Sequence, residues 1–230
     1  MGNSNSGAAR ALPKSIFDFT VNSIASKPVS LTSYKGRNAY LIVNGASKWG
    51  FTKKNYQELK ILYDKYGPAS PSEKKLEILV FPCGNFGDQE FNDNDEIDAF
   101  IKGFGSNYPV FGKIECDNGD KTAPLYQFLK ASVSGGLLGS TLKWNFAKFL
   151  CDENGVPVSR YLPSTSPLGI EEDIQKLLNK VNRIIYIEYS ITAITLRLSY
   201  SLTKWNRCKV LHMSMNLCGI GSGVTSYKIR

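Results

Sequence analysis

The chain predicts an α/β domain built on a parallel βαβ unit, followed by a hairpin and a closing helix. Three observations carry that prediction. Two short runs, the continuously apolar Ala39–Val43 and the mainly apolar Leu76–Phe81, have the pattern of strands covered on both faces. Between them, Tyr56, Leu59, Leu62, Tyr63 and Tyr66 recur with helical period. Further on, Asn154-Gly155 separates two strand-like runs and has the residues of a tight hairpin turn.

Taken in order, Ala39–Val43 is the first central strand and Asn44–Gly50 a polar turn after it. Thr52 is the expected N-cap of the first long helix, because its hydroxyl can accept from a free helical N–H. Gly67-Pro68 stops that helix. Leu76–Phe81 is the second central strand, closed by Pro82. Asp93 and Glu96 form a capping-box pattern before a helical stripe of Ile97, Phe100, Ile101 and Phe104. A short helix follows from Pro124, with Leu125, Phe128 and Leu129 on one face. Lys148–Cys151 and Val156–Tyr161 are the arms of the hairpin. Ser166 then caps a last helix with Pro167 at its first position and Ile170, Ile174, Leu177, Leu178 and Val181 turned inward. This layout is compatible with a thioredoxin-like fold, although the pattern alone does not single that fold out.

Composition narrows the function. The chain has 42% hydrophobic and 21% charged residues, which excludes wholesale disorder. Its net charge of +8 is unevenly placed: residues 181–230 hold seven basic residues against one acidic, leaving 21 against 19 in residues 1–180. A near-neutral body with a basic tail does not have the footprint of a nucleic-acid-binding domain. The one histidine, His212, lies in the tail, so the body has no imidazole for a Ser-His or Cys-His pair or for a zinc site. The five cysteines, Cys83, Cys116, Cys151, Cys208 and Cys218, are odd in number, irregular in spacing and without a CxxC. They are expected to be reduced thiols in a reducing compartment, with Cys116 and Cys151 inert.

Three regions are expected: a polar leader at 1–14, one domain at 15–180 and a basic tail at 181–230. The leader, MGNSNSGAAR, lacks an apolar secretion segment. It matches the myristoylation pattern through Gly2 and Ser6, so membrane association is expected only if Gly2 is acylated. In the tail, Glu188 and Arg197 interrupt the apolar run, which is too polar to span a bilayer. The tail reads either as an interaction segment or as sequence from a retained intron or shifted frame.

Several segments, in order and at consistent spacing, resemble the glutathione peroxidase family. These are SIFDF at Ser15–Phe19, KPVSLTSYKGR at Lys27–Arg37, LIVNGASKWGFTKKNYQEL from Leu41 and LVFPCGNFGDQE from Leu79. PLYQFLK, LKWNFAKFL and RYLPSTSPLGIEEDI complete the set. The resemblance covers about residues 15–180 and implies a thioredoxin-like fold, a central mixed sheet flanked by helices. It also implies reduction of hydrogen peroxide or lipid hydroperoxides by a selenocysteine or cysteine, with glutathione as reducing co-substrate and no separate cofactor. A cytoplasmic monomer is expected. The chemistry needs a nucleophile ionised near neutral pH, and the N-terminus of a helix supplies the free N–H groups and dipole that favour an anion.

The resemblance places the nucleophile at position 49, where this chain has tryptophan. Its hydrogen-bonding partners fall on Asn85, Trp144 and Asn145, with Asn85 at a glutamine position and Gly84 at an asparagine position. Lys48, Lys53 and Lys54 surround position 49; they suit attraction of anionic glutathione or lipid head groups, and equally an ordinary solvated helix start. Cys83, two residues before Asn85, is a candidate substitute nucleophile and also an ordinary buried core cysteine. Three accounts fit Trp49: a UGA codon for selenocysteine read as tryptophan, true loss of peroxidase chemistry in favour of binding, or a one-base departure from a cysteine codon. FIKGFGSNYPVFGKI lacks the resolving cysteine of the family's thiol-dependent branch. That absence resembles the selenium-type, phospholipid-hydroperoxide branch and argues against a thioredoxin-driven cycle.

Overall fold

Among the described residues, β3 (Ala39–Gly45), β4 (Leu76–Pro82), β5 (Lys148–Cys151) and β6 (Pro157–Tyr161) form one sheet. Their order across it is β4-β3-β5-β6. The computed structural model describes residues 12–73, 75–133, 139 and 141–179. The leader through residue 11, the tail, and with them Gly2, Val181, Cys208, His212 and Cys218, lie outside the described residues.

β3 and β4 pair in parallel from Ala39–Leu76 to Gly45–Pro82. β5 runs antiparallel to β3, and β6 antiparallel to β5. The mixed sheet expected from the resemblance is therefore present. Every residue of β3 and β4 is buried, Glu77 and Asn44 included, which explains why both read as mainly apolar runs rather than as alternating ones. Pro82 fits because β4 is an edge strand of this sheet, where a missing N–H costs little. A small hairpin of β1 (Thr20–Asn22) and β2 (Pro28–Ser30) precedes the sheet.

Side-chain alternation along β3 sends Leu41 and Val43 to one face and Tyr40 and Ile42 to the other. The first face packs on α1 (Thr52–Tyr66) through Tyr56, Leu59 and Leu62, on α2 (Asn94–Lys102) through Ile97 and Ile101, and on a last helix, α4 (residues 171–179), through Ile174 and Leu178. The second face packs on α3 (Pro124–Ser132) through Leu125, Tyr126 and Leu129. Tyr126 stands edge-on to Phe81 and Phe149 there.

The termini of the helices follow their local chemistry, with two adjustments. Asp93 caps α2 as expected, its carboxylate accepting from Asp95 N and Glu96 N. Thr52 does not cap α1. It is the first helical residue, and its hydroxyl accepts from Trp49 N at 3.0 Å while donating to Ala46 O at 2.7 Å. The hydroxyl is thus spent on holding the turn before the helix. The closing helix begins with a 3-10 turn at Leu168–Ile170, and Ser166 Oγ accepts from Gly169 N at 3.3 Å.

The expectation of reduced thiols fails for one pair. Cys83 and Cys116 form a disulfide, with Cα atoms 6.3 Å apart. The spacing of 33 residues has no signature in sequence. The fold makes the pair: Ile114 N donates to Pro82 O at 3.0 Å, which lays the 112–118 segment along the end of β4. Cys116 and Cys83 are therefore bridged, and neither is a free thiol. Cys151 is free and buried in β5, where burial pushes its thiol pKa up.

Candidate functional site

Trp49 lies in the turn that carries the chain from β3 into α1. The turn is fixed from three sides. Trp49 N is held by Thr52, Lys48 N donates to Gln89 O at 2.9 Å, and Thr52 N donates to Trp49 O at 3.0 Å. Position 49 therefore heads α1, where the unpaired N–H groups of the first turn and the helix dipole favour negative charge.

The indole of Trp49 is half-buried. It stacks on Phe146 with ring centroids 5.8 Å apart and meets Phe51 edge-on at 5.1 Å. Phe146 has a φ of +60°, costly for a residue with a Cβ. Its backbone N donates to Asn44 O at 2.8 Å, and Asn44 Nδ2 donates to Trp144 O at 3.3 Å. The end of β3 thus pins the 144–146 segment beside position 49.

A cavity of about 470 Å³ opens here. Trp49, Phe51 and Trp144 give it aromatic walls, Leu162 and Pro163 an aliphatic one, and Lys54, Lys143, Asn55, Ser164 and Ser166 its polar groups. Asn55 is buried, and its Oδ1 has no hydrogen-bond partner. Such a cavity takes a ligand with an apolar body and an anionic or donor end.

Of the residues expected from sequence, Trp49, Trp144 and Lys54 line this cavity. Asn145 lies behind it, fully buried, with Nδ2 donating to Gln89 Oε1 at 2.9 Å and Oδ1 unpartnered. Lys48 turns aside, its ammonium over the Phe91 ring at 4.5 Å. Lys53 is exposed and does not line the cavity.

Asn85 does not line it either. Its Oδ1 accepts from Cys116 N at 2.7 Å and Asp117 N at 3.2 Å, and its Nδ2 donates to Glu115. The short amide is consumed by the 115–118 turn. Gln89, from the same segment, links the Lys48 turn to Asn145, its backbone O accepting from Lys48 N and its side-chain Oε1 from Asn145 Nδ2, and sequence reasoning passed over it. Lys143 was also missed, although it adjoins Trp144 in the LKWNF segment.

Beneath the cavity's aliphatic wall lies Lys148. It is fully buried in β5, and its Nζ donates to Thr165 O at 2.6 Å. Burial lowers its pKa to about 7, against a smaller opposing pull from Glu58. Burial also raises Glu90, the carboxyl beside Ser47 in the position-49 turn.

The fold is that of a thioredoxin-like protein, with an aromatic cavity at the turn from β3 into α1. A thioredoxin-family thiol:disulfide interchange protein from Chlorobium tepidum has the same fold at 15% identity and a TM-score of 0.50, with 74% of this chain and 99% of that one covered. A solved structure titled "Trgpx in apo form" matches at 36% identity and a TM-score of 0.58, covering 72% of this chain and 95% of that one. The probable phospholipid hydroperoxide glutathione peroxidase 6, mitochondrial, of Arabidopsis thaliana is 50% identical over 175 residues, 76% of this chain and 72% of the relative. The family model for glutathione peroxidase matches residues 16–130. The chain belongs to the glutathione peroxidase family.

Proposed function

We propose that this chain is built to reduce hydroperoxides with glutathione, and that turnover depends on the side chain at position 49. The observation that carries the reading is the placement of that position: it heads α1 and opens into the aromatic cavity beside Trp144. A selenol or thiol there would be held as its anion by the helix N-terminus. It would attack the distal peroxide oxygen, breaking the O–O bond, taking that oxygen as a selenenic or sulfenic acid and releasing the alcohol or water. One glutathione thiol would then displace water to give a mixed selenenyl sulfide or disulfide, and a second would release the reduced nucleophile with oxidised glutathione as product. Lys54 and Lys143 would attract the anionic co-substrate. No separate cofactor is required, and the same chemistry serves hydrogen peroxide and lipid hydroperoxides. A glutathione-reduced cycle fits a reducing compartment, the cytoplasm on the sequence reading; no helix among the described residues is long and apolar enough to cross a membrane.

A second reading has its own observation. The indole at position 49 is packed between Phe51 and Phe146, and it carries no ionisable chalcogen. With tryptophan in place the chain binds in this cavity and does not turn over.

One set of measurements separates the two. The mass of the tryptic peptide that begins at residue 49, WGFTK, distinguishes tryptophan from selenocysteine or cysteine in protein from its own cells. Peroxide turnover is then compared for Trp49, Trp49→Cys and Trp49→Ser. Turnover in Trp49→Cys alone supports an intact peroxidase pocket. Equal rates in Trp49→Cys and Trp49→Ser would sink the peroxidase reading.

A further inference from the structure

A second redox-capable group stands apart from position 49. Cys83 and Cys116 are both fully buried, and their bridge joins the turn after β4 to the 115–118 turn. Asn85 Oδ1 lies 3.0 Å from Cys83 Sγ. In the bridged form that sulfur has no proton. In the dithiol form the Cys83 thiol would share that oxygen, as a weak third donor, with Cys116 N and Asp117 N. The surroundings therefore accommodate both oxidation states.

Both joined segments reach the cavity wall. From the first turn, Phe86 packs on Trp144 with centroids 5.8 Å apart, and Asn145 Nδ2 contacts Phe86 O at 3.5 Å. From the second, Asp117 Oδ2 accepts from Leu142 N at 2.7 Å, and Asp117 Oδ1 pairs with Lys130 at 2.5 Å. Leu142 is directly followed by Lys143 and Trp144, which line the cavity. The bridge thus closes a loop of contacts: Cys83 to Phe86 to Trp144, and Cys116 to Asp117 to Leu142.

We propose that Cys83 and Cys116 form a dithiol–disulfide couple that sets the rigidity of the Leu142–Phe146 wall of the cavity. Reduction takes two electrons and two protons from a dithiol. One thiolate of the reductant attacks a sulfur of the bridge, the S–S bond breaks, and the departing sulfur takes a proton. The second thiol of the reductant then displaces the first cysteine from the mixed disulfide, leaving two protein thiols and an oxidised reductant. Because both sulfurs are buried, the attack needs local opening of the 115–118 turn. The couple needs nothing from residue 49, so it is testable whichever reading of that residue holds.

The test is backbone hydrogen exchange of the full chain, with and without a phosphine reductant, alongside alkylation mass spectrometry. Untreated protein should leave Cys83 and Cys116 unalkylated after denaturation, and reduction should make both reactive. Exchange in residues 112–122 and 141–147 should then quicken by about tenfold while α1 is unchanged. Cys116→Val should show the fast pattern without reductant and should not respond to it; Cys83→Ala should behave the same. Should either variant fail to fold, the two oxidation states of the unaltered chain still decide the matter. Free alkylation of both cysteines in untreated protein would overturn the proposal. So would quickening spread evenly through α1, or no change at 141–147.

Discussion

Replacing Lys148 with methionine should remove a pH dependence of stability that the fold imposes. Lys148 is fully buried, and burial lowers its pKa from 10.5 to about 7. Below pH 7 the folded and unfolded chains both carry the proton, and the fold bears the whole cost of burying it. Between the folded and unfolded values only the unfolded chain is protonated, so stability rises with pH. The slope is about 1.4 kcal/mol per pH unit while that condition lasts. Above about pH 9 other groups intervene. The buried Cys151 thiol and the tyrosines Tyr56, Tyr63 and Tyr126 have pKa values raised by burial, and they favour unfolding as their unfolded counterparts ionise. The usable window is therefore about pH 7.5–9.

Methionine matches the length of lysine and needs no solvation, but it forfeits the bond to Thr165 O, worth about 1 kcal/mol. Near pH 7 Lys148→Met should be more stable than the parent, by about 2 kcal/mol after that loss. The gap should close by about 1.4 kcal/mol for each unit of pH through the window. Urea unfolding followed by circular dichroism at half-unit steps gives both curves. Parallel curves for parent and variant would refute the reasoning, because they would mean that Lys148 keeps its proton in the folded chain.

Two further substitutions test the frame around the site. Asp93→Ala removes the carboxylate that accepts from Asp95 N and Glu96 N at the start of α2, and should cost about 1 kcal/mol in chemical denaturation. Gly155→Ala should cost about 2–4 kcal/mol, because φ there is +73° and a Cβ would lie 2.8 Å from Phe17 and 2.9 Å from Ile16; a melting temperature within a degree or two of the parent would contradict that geometry.

Much of the frame was legible in the sequence because it rests on local, periodic signals. β3 and β4 declared themselves as apolar runs, α1 by its period, α2 by Asp93, and the hairpin turn by Asn154-Gly155. Position 49 was singled out by the resemblance of its segment to a family motif, and the helical period that opens at Thr52 put it just ahead of α1. Only the tertiary structure decided where side chains of distant segments point. Asn85 and Gln89 lie four residues apart, yet the first is consumed by the 115–118 turn and the second reaches Asn145. Cys83 and Cys116 become partners because the 112–118 segment is laid along the end of β4, a contact with no period and no motif. Lys148 reads as an ordinary strand lysine until β3, α1 and the 162–166 loop close over it. Periodicity records which face an element buries; it does not record what another part of the chain brings to that face.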